Sequence, residues 1–293
     1  MRLDDLDPTD NARDMGSGGG GGGLGLLGLL PLLLGRRMGC GTILILGALA
    51  LGYMYLSGGG LGGMGSGGAP TSSTAGGTGA SVCNTPARLE ACKVMTSTEQ
   101  TWGAIFQQAG KQYRPATINF FQQGVQTGCG AASSAVGPFY CPPDHGVYLD
   151  TAFFAELEKR FGAQGDFARD YVVAHEIGHH VQDLLGTSDE VSRQQASASK
   201  AEGNALSVRL ELQADCFAGV WAARNKDRLE PGDIEEGMTA ANAIGDDTLQ
   251  KQSQGTVVPD SFTHGTSAQR MAWLRRGLES GDPARCDTFK GVE

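Results

Sequence analysis

Charge and glycine divide this chain of 293 residues into two unlike parts. No Asp, Glu, Lys or Arg occurs between Arg37 and Arg88, and 25 of the 46 glycines lie between Gly16 and Gly79. A soluble domain mixes charged and apolar residues along its whole length. We therefore predict a single globular domain at residues 82–293, preceded by segments of a different kind.

The part from Ala80 onward is acidic, with 19 basic and 27 acidic side chains. Nucleic-acid affinity comes mainly from Lys and Arg that displace counterions, so this balance argues against nucleic acid as a partner. The globular part also contains no phosphate-binding glycine motif, and nucleotide chemistry is therefore not indicated.

The residues before the globular domain are predicted to form three segments. Residues 1–15 are polar with five aspartates, which predicts disorder, and residues 1–37 together are predicted to be a disordered and Gly/Leu-rich N-terminus. Met38–Leu56 is uncharged, mainly apolar and 19 residues long, close to the roughly 20 residues that span a bilayer. Residues 57–81 contain mainly Gly, Ser and Thr and are predicted to be a flexible tether.

The membrane segment has an alternative interpretation. Arg36-Arg37 and the apolar residues after it also resemble a cleaved signal peptide, but no clear A-x-A site follows, which favours an anchor. In both cases we expect the two arginines to stay on the cytoplasmic side of the membrane. We therefore predict a single-pass protein of the cell membrane, with residues 1–37 in the cytoplasm and residues 82–293 on the extracytoplasmic side. Whether Leu24–Leu34 lies at the interface or belongs to a second pass stays open.

The six cysteines of the globular part are consistent with this compartment. An even number favours three disulfides in an oxidising environment, although buried free thiols are an alternative. Proximity in the sequence pairs the first four, and the remaining two are then left for each other. The predicted pairs are Cys83–Cys92, Cys129–Cys141 and Cys216–Cys286.

The strongest chemical signal is the His-Glu-x-x-His motif at residues 175–179. Asp166 is a plausible helix N-cap and Gly186 a plausible stop, and an apolar helical pattern lies between them. At about 3.6 residues per turn, His175 and His179 share one face and can bind one ion. Zinc suits these ligands, and in this motif Glu176 is the general base that takes a proton from zinc-activated water.

His180 is a rival ligand, but it points about 100° away from its neighbour around the helix and is predicted not to bind. A catalytic zinc usually has three protein ligands. Glu211 is the preferred third ligand, with Asp215 four residues later accepting the free N–H of a zinc-binding histidine. Two solvated carboxylates are the alternative, which the apolar residues around them disfavour. His145 and His264 compete with Glu211 for the third position.

Several separated motifs carry a resemblance to a known family. Along the chain they are CGAASSAVGPFYCPPD, VYLDTAFF, HEIGHHVQ, ELQADCFAG and SFTHGTSAQR. In this order they resemble the neutral zinc metallopeptidase family of bacteria, the YpfJ-like proteins. The resemblance covers about residues 88–289 and implies a zinc peptidase with one Zn²⁺ per chain that acts on a peptide or protein substrate.

A more distant resemblance implies roles for further residues. The order of motifs is similar to that of HtpX-type peptidases and of the membrane zinc peptidases that process prenylated proteins. There Glu211 matches the third zinc ligand and Asp215 a carboxylate behind the ligands. His264 matches a histidine that holds the substrate carbonyl or the oxyanion, and Arg270 an arginine that pairs with the aspartate. Gly265 departs from those families, which have proline at this place. A loop histidine bonded to backbone is the alternative for His264.

The predicted fold is α+β, a zincin-like domain that is mostly helical with a small sheet, preceded by a single transmembrane helix. Besides the two motif helices, we predict the following elements: helices at 88–108, 233–249 and 267–278, and strands at 117–121 and 147–150. The second strand is a candidate cleft edge that receives an extended peptide, or else an ordinary buried strand.

The predicted function is a membrane-anchored, zinc-dependent endopeptidase, with the bilayer contacted through residues 38–56. Two alternatives stay open. One is a zinc hydrolase of non-peptide amides such as those of the cell wall, because the ligands do not dictate the substrate. The other is an inert zinc-binding scaffold or adaptor, which the intact Glu176 disfavours.

Overall fold

A computed structural model of the chain describes residues 1–17 and 77–290. Eight α-helices lie in these residues. They are α1 (Pro86–Gln108), α2 (Ala152–Phe161), α3 (Asp166–Leu185), α4 (Thr187–Gln195), α5 (Lys200–Arg224), α6 (Asp233–Ala243), α7 (Asp246–Gln254) and α8 (Ser267–Ser280). The α+β class is confirmed, with helices predominating.

The strands of the described residues form two small sheets. They are β1 (Ala12–Ser17), β2 (Thr117–Gln122), β3 (Gly124–Thr127), β4 (Gly130–Ser133), β5 (Phe139–Cys141) and β6 (Gly146–Leu149). The larger sheet has the order β1-β2-β6-β5, and β3 and β4 form a separate antiparallel pair. β1, β2 and β6 are parallel, with Ile118 opposite both Ala12 and Val147, whereas β5 runs antiparallel to β6.

The position of β6 corrects one prediction. The strand at 147–150 was a candidate cleft edge, but β6 is hydrogen-bonded on one side to β2 and on the other to β5. All four of its residues are buried. Because its main-chain groups are already paired, it cannot accept an added peptide strand. The alternative of an ordinary buried strand is correct.

The prediction of disorder at residues 1–15 is wrong. Leu3 is buried in the main core at 6% exposure, and β1 adds a parallel strand beside β2. The carboxylate of Glu99 accepts hydrogen bonds from the side chains of Thr9 and Asn11. The composition of the segment suggested too little apolar surface for folding. Its order comes from partners far along the chain, which supply main-chain pairing and burial.

Residues 12–14 and 77–79 lie beside each other. The amide of Asp14 donates to the carbonyl of Gly77 at 2.9 Å, and the amide of Gly79 donates to the carbonyl of Ala12 at 2.7 Å. Residues 1–17 and 77–290 are therefore parts of one folded unit. This contradicts the predicted single-pass arrangement, in which a bilayer separates residues 1–37 from residues 82–293.

Residues 18–37, the predicted anchor Met38–Leu56 and residues 57–76 of the predicted tether lie outside the described residues. The prediction of a flexible tether is wrong for residues 77–81, which pair with β1 and begin a short 3₁₀ helix. Within residues 1–17 and 77–290, no helix is both long enough and apolar enough to cross a membrane.

The predicted disulfides are confirmed. Three are formed by the described cysteines: Cys83–Cys92, Cys129–Cys141 and Cys216–Cys286. The last one links Cys216, in the second half of α5, to Cys286, which follows α8. The side chain of Gln213 on α5 also donates to the carbonyl of Cys286 at 2.9 Å.

Helices α3 and α5 cross at very short distance. A Cβ atom at Gly178 of α3 would lie 2.9 Å from both the Cα and the carbonyl oxygen of Ala214 on α5. Only glycine permits this approach, because real Cβ contacts are longer. The crossing brings the His-Glu-x-x-His face of α3 against the part of α5 that carries Glu211 and Asp215.

The predicted helix at 233–249 is interrupted. α6 ends at Ala243 and α7 begins at Asp246, whose amide donates to the carbonyl of Gly265 at 2.9 Å. Gly245 at the break lies so close to Ser267 that a Cβ atom there would be 2.3 Å from the amide nitrogen of Ser267. This contact with the start of α8 turns the chain and places Asp246 next to the His264 loop.

Candidate metal centre

The three predicted metal ligands meet at one point. His175 and His179 lie one turn apart on α3, and Glu211 faces them from α5. The Nε2 atom of His175 is 3.2 Å from one carboxylate oxygen of Glu211, and the Nε2 atom of His179 is 3.5 Å from the other. One donor atom of each residue lies within 4.8 Å of the others.

Hydrogen bonds behind the two rings decide which nitrogen is free. The Nδ1 atom of His175 lies 2.8 Å from a carboxylate oxygen of Asp215. The Nδ1 atom of His179 lies 2.9 Å from the amide oxygen of Gln182, whose NH₂ group is fixed by donation to the carbonyl of Leu210 at 2.6 Å. Because both partners are acceptors, Nδ1 carries the proton in the neutral form of each ring, and Nε2 of that form presents the electron pair that a metal ion needs.

The donor set therefore fits a zinc ion. Two imidazole electron pairs and one carboxylate converge here, and zinc binds to both types of ligand. His175 and Glu211 are only 6% and 8% exposed, so bulk water does not screen their interaction. His145 and His264, the competing candidates for the third ligand, are not part of this group.

The local charges also favour a cation. Burial lowers the pKa of His175, but the Asp215 and Glu211 carboxylates outweigh it and raise this pKa to about 10. Burial raises the pKa of Glu211, but His179, His264 and His175 together hold it well below its ordinary value.

Asp215 is a buried carboxylate that accepts four contacts behind the centre. It has no exposed surface. Its Oδ1 atom accepts from the hydroxyl of Tyr171 at 2.6 Å and from Arg270 at 2.9 Å, besides the contact with His175. Its Oδ2 atom accepts from the Nε atom of Arg270, also at 2.9 Å. The structure thus brings Arg270 to Asp215, as the second resemblance implied, and fixes the ring of His175 through this carboxylate.

Glu176 lies next to His175 on α3 and is 7% exposed. Burial raises the pKa of this carboxyl group, although the neighbouring His179 and His175 oppose the shift. A buried carboxylate whose charge interacts with His179 and His175 can exchange a proton with water at this centre.

His264 lies beside the centre in the loop before α8. Its Nδ1 atom is 3.2 Å from a carboxylate oxygen of Asp246 and 3.1 Å from the hydroxyl of Thr263. The backbone amide of His264 donates to the same carboxylate at 2.7 Å. The ring therefore contacts side chains, not the backbone that the alternative proposed, and its charge interacts with that of Glu211.

His180 faces away from the centre, as predicted. Its Nε2 atom is 2.6 Å from the carbonyl oxygen of Arg114, and its Nδ1 atom approaches Tyr140.

Sequence reasoning missed three residues of the site. Tyr171 lies one turn before His175 and has the appearance of an ordinary aromatic core residue. Gln182 lies one turn after His179, where its side chain can reach the second ring from the same helix; this spacing was an available signal. Asp246 falls inside the helix predicted at 233–249, and nothing in its surroundings indicated a contact with His264.

Comparison with known proteins gives a consistent result. The chain matches the family described as "Putative neutral zinc metallopeptidase" over residues 1–289. "Uncharacterized protein YpfJ" of Escherichia coli (strain K12) is 55% identical over 198 residues, which are 67% of this chain and 69% of that protein. An "Uncharacterized protein" of Mycobacterium tuberculosis (strain ATCC 25618 / H37Rv) is 44% identical over 229 residues, which are 73% of this chain and 76% of that protein. No solved structure matches the chain.

The family match begins at residue 1, whereas the motifs in the sequence placed its start near residue 88. This agrees with the packing of residues 1–17 into the domain. A match over almost the whole chain, together with relatives at 44% and 55% identity, shows that the chain belongs to the "Putative neutral zinc metallopeptidase" family.

Proposed function

We propose that the protein is a zinc-dependent endopeptidase whose centre is formed by His175, His179 and Glu211, with one zinc ion at this centre. One observation carries the proposal. The Nε2 atoms of both histidines face the Glu211 carboxylate while their Nδ1 atoms are held by Asp215 and Gln182. Membership of the family supports the class of zinc peptidases.

When bound, zinc lowers the pKa of a water molecule and polarises the scissile carbonyl. Glu176 accepts a proton from the attacking water and passes it to the leaving amide nitrogen. The interaction of its charge with His179, His175 and Glu211 supports this role, because these residues are the proposed metal ligands.

Two further groups complete the proposed mechanism. Asp215, fixed by Arg270, keeps His175 in the orientation that binds zinc. Burial lowers the pKa of His264, but the Glu211 and Asp246 carboxylates outweigh it and raise this pKa. The charged ring donates from Nδ1 to Asp246, beside the Thr263 hydroxyl, and carries a second proton on Nε2 that it can donate to the developing oxyanion.

The surroundings of the domain are also part of the proposal. The three disulfides support an oxidising compartment and thus the extracytoplasmic side of the membrane. The apolar sequence of Met38–Leu56 supports attachment to the bilayer, in an arrangement that keeps residues 1–17 and 77–290 on one side. The two motif helices and the small sheet support a zincin-like domain.

Substitution of Glu176 by Gln tests the mechanism. The amide keeps the shape of the side chain but cannot accept a proton as a carboxylate does. We expect the zinc content, measured by mass spectrometry of the metal, to equal that of the parent, and the rate of peptide cleavage to fall by about 10²–10⁴-fold. Glu235→Gln, at an exposed position of α6, is the matched control and should cleave like the parent.

The assay presents an unfolded protein and a defined peptide library in one arm and cell-wall fragments in the other. The proposal predicts new peptide termini in the first arm. Cleavage confined to the cell-wall fragments would favour the non-peptide amide hydrolase instead. Cleavage by the Glu176→Gln variant at the parental rate would refute the role of Glu176.

A further inference from the structure

A second group of metal-binding side chains lies on the other face of α3. It consists of His145, which precedes β6, and of His180 and Asp183 on α3; we name it the His145 cluster. One donor atom of each residue lies within 4.8 Å of the others. The cluster shares no residue with the His175, His179 and Glu211 centre, and the proposed mechanism does not use it.

The hydrogen bonds of His180 leave one electron pair directed into the cluster. Its Nε2 atom lies 2.6 Å from the carbonyl oxygen of Arg114, which can only accept, so Nε2 carries the proton. In the neutral ring Nδ1 is then an acceptor, and it lies 2.9 Å from the hydroxyl oxygen of Tyr140.

The cluster has more acceptors than protons. The same Tyr140 hydroxyl lies 2.8 Å from the Oδ2 atom of Asp183, and one phenolic proton cannot serve both acceptors. His145 reaches Asp183 through its Nδ1 atom, at 3.1 Å. If the hydroxyl donates to Asp183, the Nδ1 atom of His180 receives no proton. If it donates to His180, the contact between the Tyr140 oxygen and Asp183 has no proton. Buried polar atoms in proteins are rarely left in this state.

We propose that the His145 cluster binds a divalent transition-metal ion of the zinc type through the Nδ1 atoms of His145 and His180 and the Oδ2 atom of Asp183. The ion then takes the two imidazole electron pairs, and Tyr140 donates its only proton to Asp183. Both Nδ1 atoms, the Tyr140 hydroxyl and the Oδ2 atom of Asp183 have partners in this arrangement.

The spacing of the atoms suits such an ion. In a tetrahedral site with bonds of about 2.0–2.1 Å, neighbouring ligand atoms lie about 3.3 Å apart. His145 and Asp183 are separated by 3.1 Å here. Two imidazoles and one carboxylate favour zinc and related ions over calcium or magnesium, which prefer oxygen ligands alone.

The backbone and the exposure of His145 support the same conclusion. His145 has φ 46°, in the left-handed region that residues other than glycine rarely adopt, and its ring contacts Asp183 on α3. Its side chain is 32% exposed and that of Asp183 is 14% exposed. An ion can therefore enter from solvent, while His180 has no exposed surface and closes the inner side.

The number of bound ions tests the proposal. The full-length protein is stripped with a chelator, titrated with zinc and analysed by mass spectrometry of the metal after removal of free ions. We expect two equivalents in the parent and one in the double variant His145→Ala, Asp183→Asn. Asp189→Asn, at an exposed position of α4, is the matched control and should retain two.

His179→Ala separates the two sites. It removes a ligand of the proposed catalytic centre and leaves the His145 cluster unchanged, so one equivalent should remain even if a variant at His145 fails to fold. A parent that binds one equivalent, with none left in His179→Ala, would overturn the proposal without affecting the peptidase centre. The same is true if the double variant keeps two equivalents. Protonation of the His180 ring would also supply the missing proton. No ion would then bind at the His145 cluster, and the two contrary results above would be observed.

Discussion

Asp215→Asn is the sharpest test of how the fold holds its metal centre. The substitution preserves the shape of the side chain but replaces one carboxylate oxygen by an NH₂ group. Asp215 now accepts four contacts of 2.6–2.9 Å, from Tyr171, His175 and twice from Arg270. An amide accepts at only one of its two ends, so at least one donor then faces another donor.

Two separate losses follow from this geometry. The guanidinium of Arg270 stays buried without a counter-charge, which costs about 3–5 kcal/mol in the free energy of unfolding. The ring of His175 loses its charged acceptor, and loss of such a partner typically weakens zinc binding by about 10–100-fold, or roughly 1.4–2.7 kcal/mol.

The two losses are measured by different assays. Urea unfolding in the presence of a chelator reports the first, and competition for zinc with a chromophoric chelator reports the second. Tyr171→Phe is the comparison variant, because it removes one donor to Asp215 but leaves the bond to His175. It should lower the free energy of unfolding by about 1–3 kcal/mol and change zinc affinity much less than Asp215→Asn does. Equal zinc affinity in the parent and in Asp215→Asn would refute the view that Asp215 orients His175.

Two further predictions concern the N-terminal segment. The hydrogen bond from Arg88 lowers the pKa of Asp14 below its ordinary value of 3.8. A lowered folded-state pKa stabilises the fold above the unfolded-state value and loses this contribution as the pH falls through the folded-state value. Asp14→Asn should therefore reduce the free energy of unfolding by about 0.5–1 kcal/mol at pH 7, and the difference in urea unfolding should shrink below pH 3.8; an equal difference at all pH values would contradict this. Cysteines introduced at the exposed Asp10 and Lys251 should react equally with a membrane-impermeant maleimide in spheroplasts, because both sites belong to one folded unit. Labelling of only one site would show that a bilayer separates them.

Most of the centre could be predicted from α3 and α5, because its residues are spaced by about one helical turn. His175 and His179 are four residues apart, and so are Glu211 and Asp215, so each pair lies on one face. Burial of an unpaired carboxylate is unfavourable, so carboxylates on an apolar helix also indicated a buried partner. Arg270 had no such local signal and came only from a resemblance.

The errors share a different cause. Residues 1–15 were judged by their own composition, whereas the order of β1 depends on β2, which begins more than a hundred residues later. The cleft edge considered for the strand at 147–150 and the continuous helix predicted at 233–249 failed for the same reason. Pairing with β5 and the contact of Gly245 with Ser267 are tertiary features that a local pattern does not contain.

The position of the metal ligands depends on close contacts between helices as much as on the ligands themselves. Glu211 reaches the histidines only because α3 and α5 meet where Gly178 faces Ala214, 2.9 Å from the position of a missing Cβ atom. A larger side chain at Gly178 would push α5 outward together with both of its carboxylates. Metal binding and the packing of the two helices should therefore be lost together, since the same short crossing supports the Glu211 ligand and the Asp215 bond to His175.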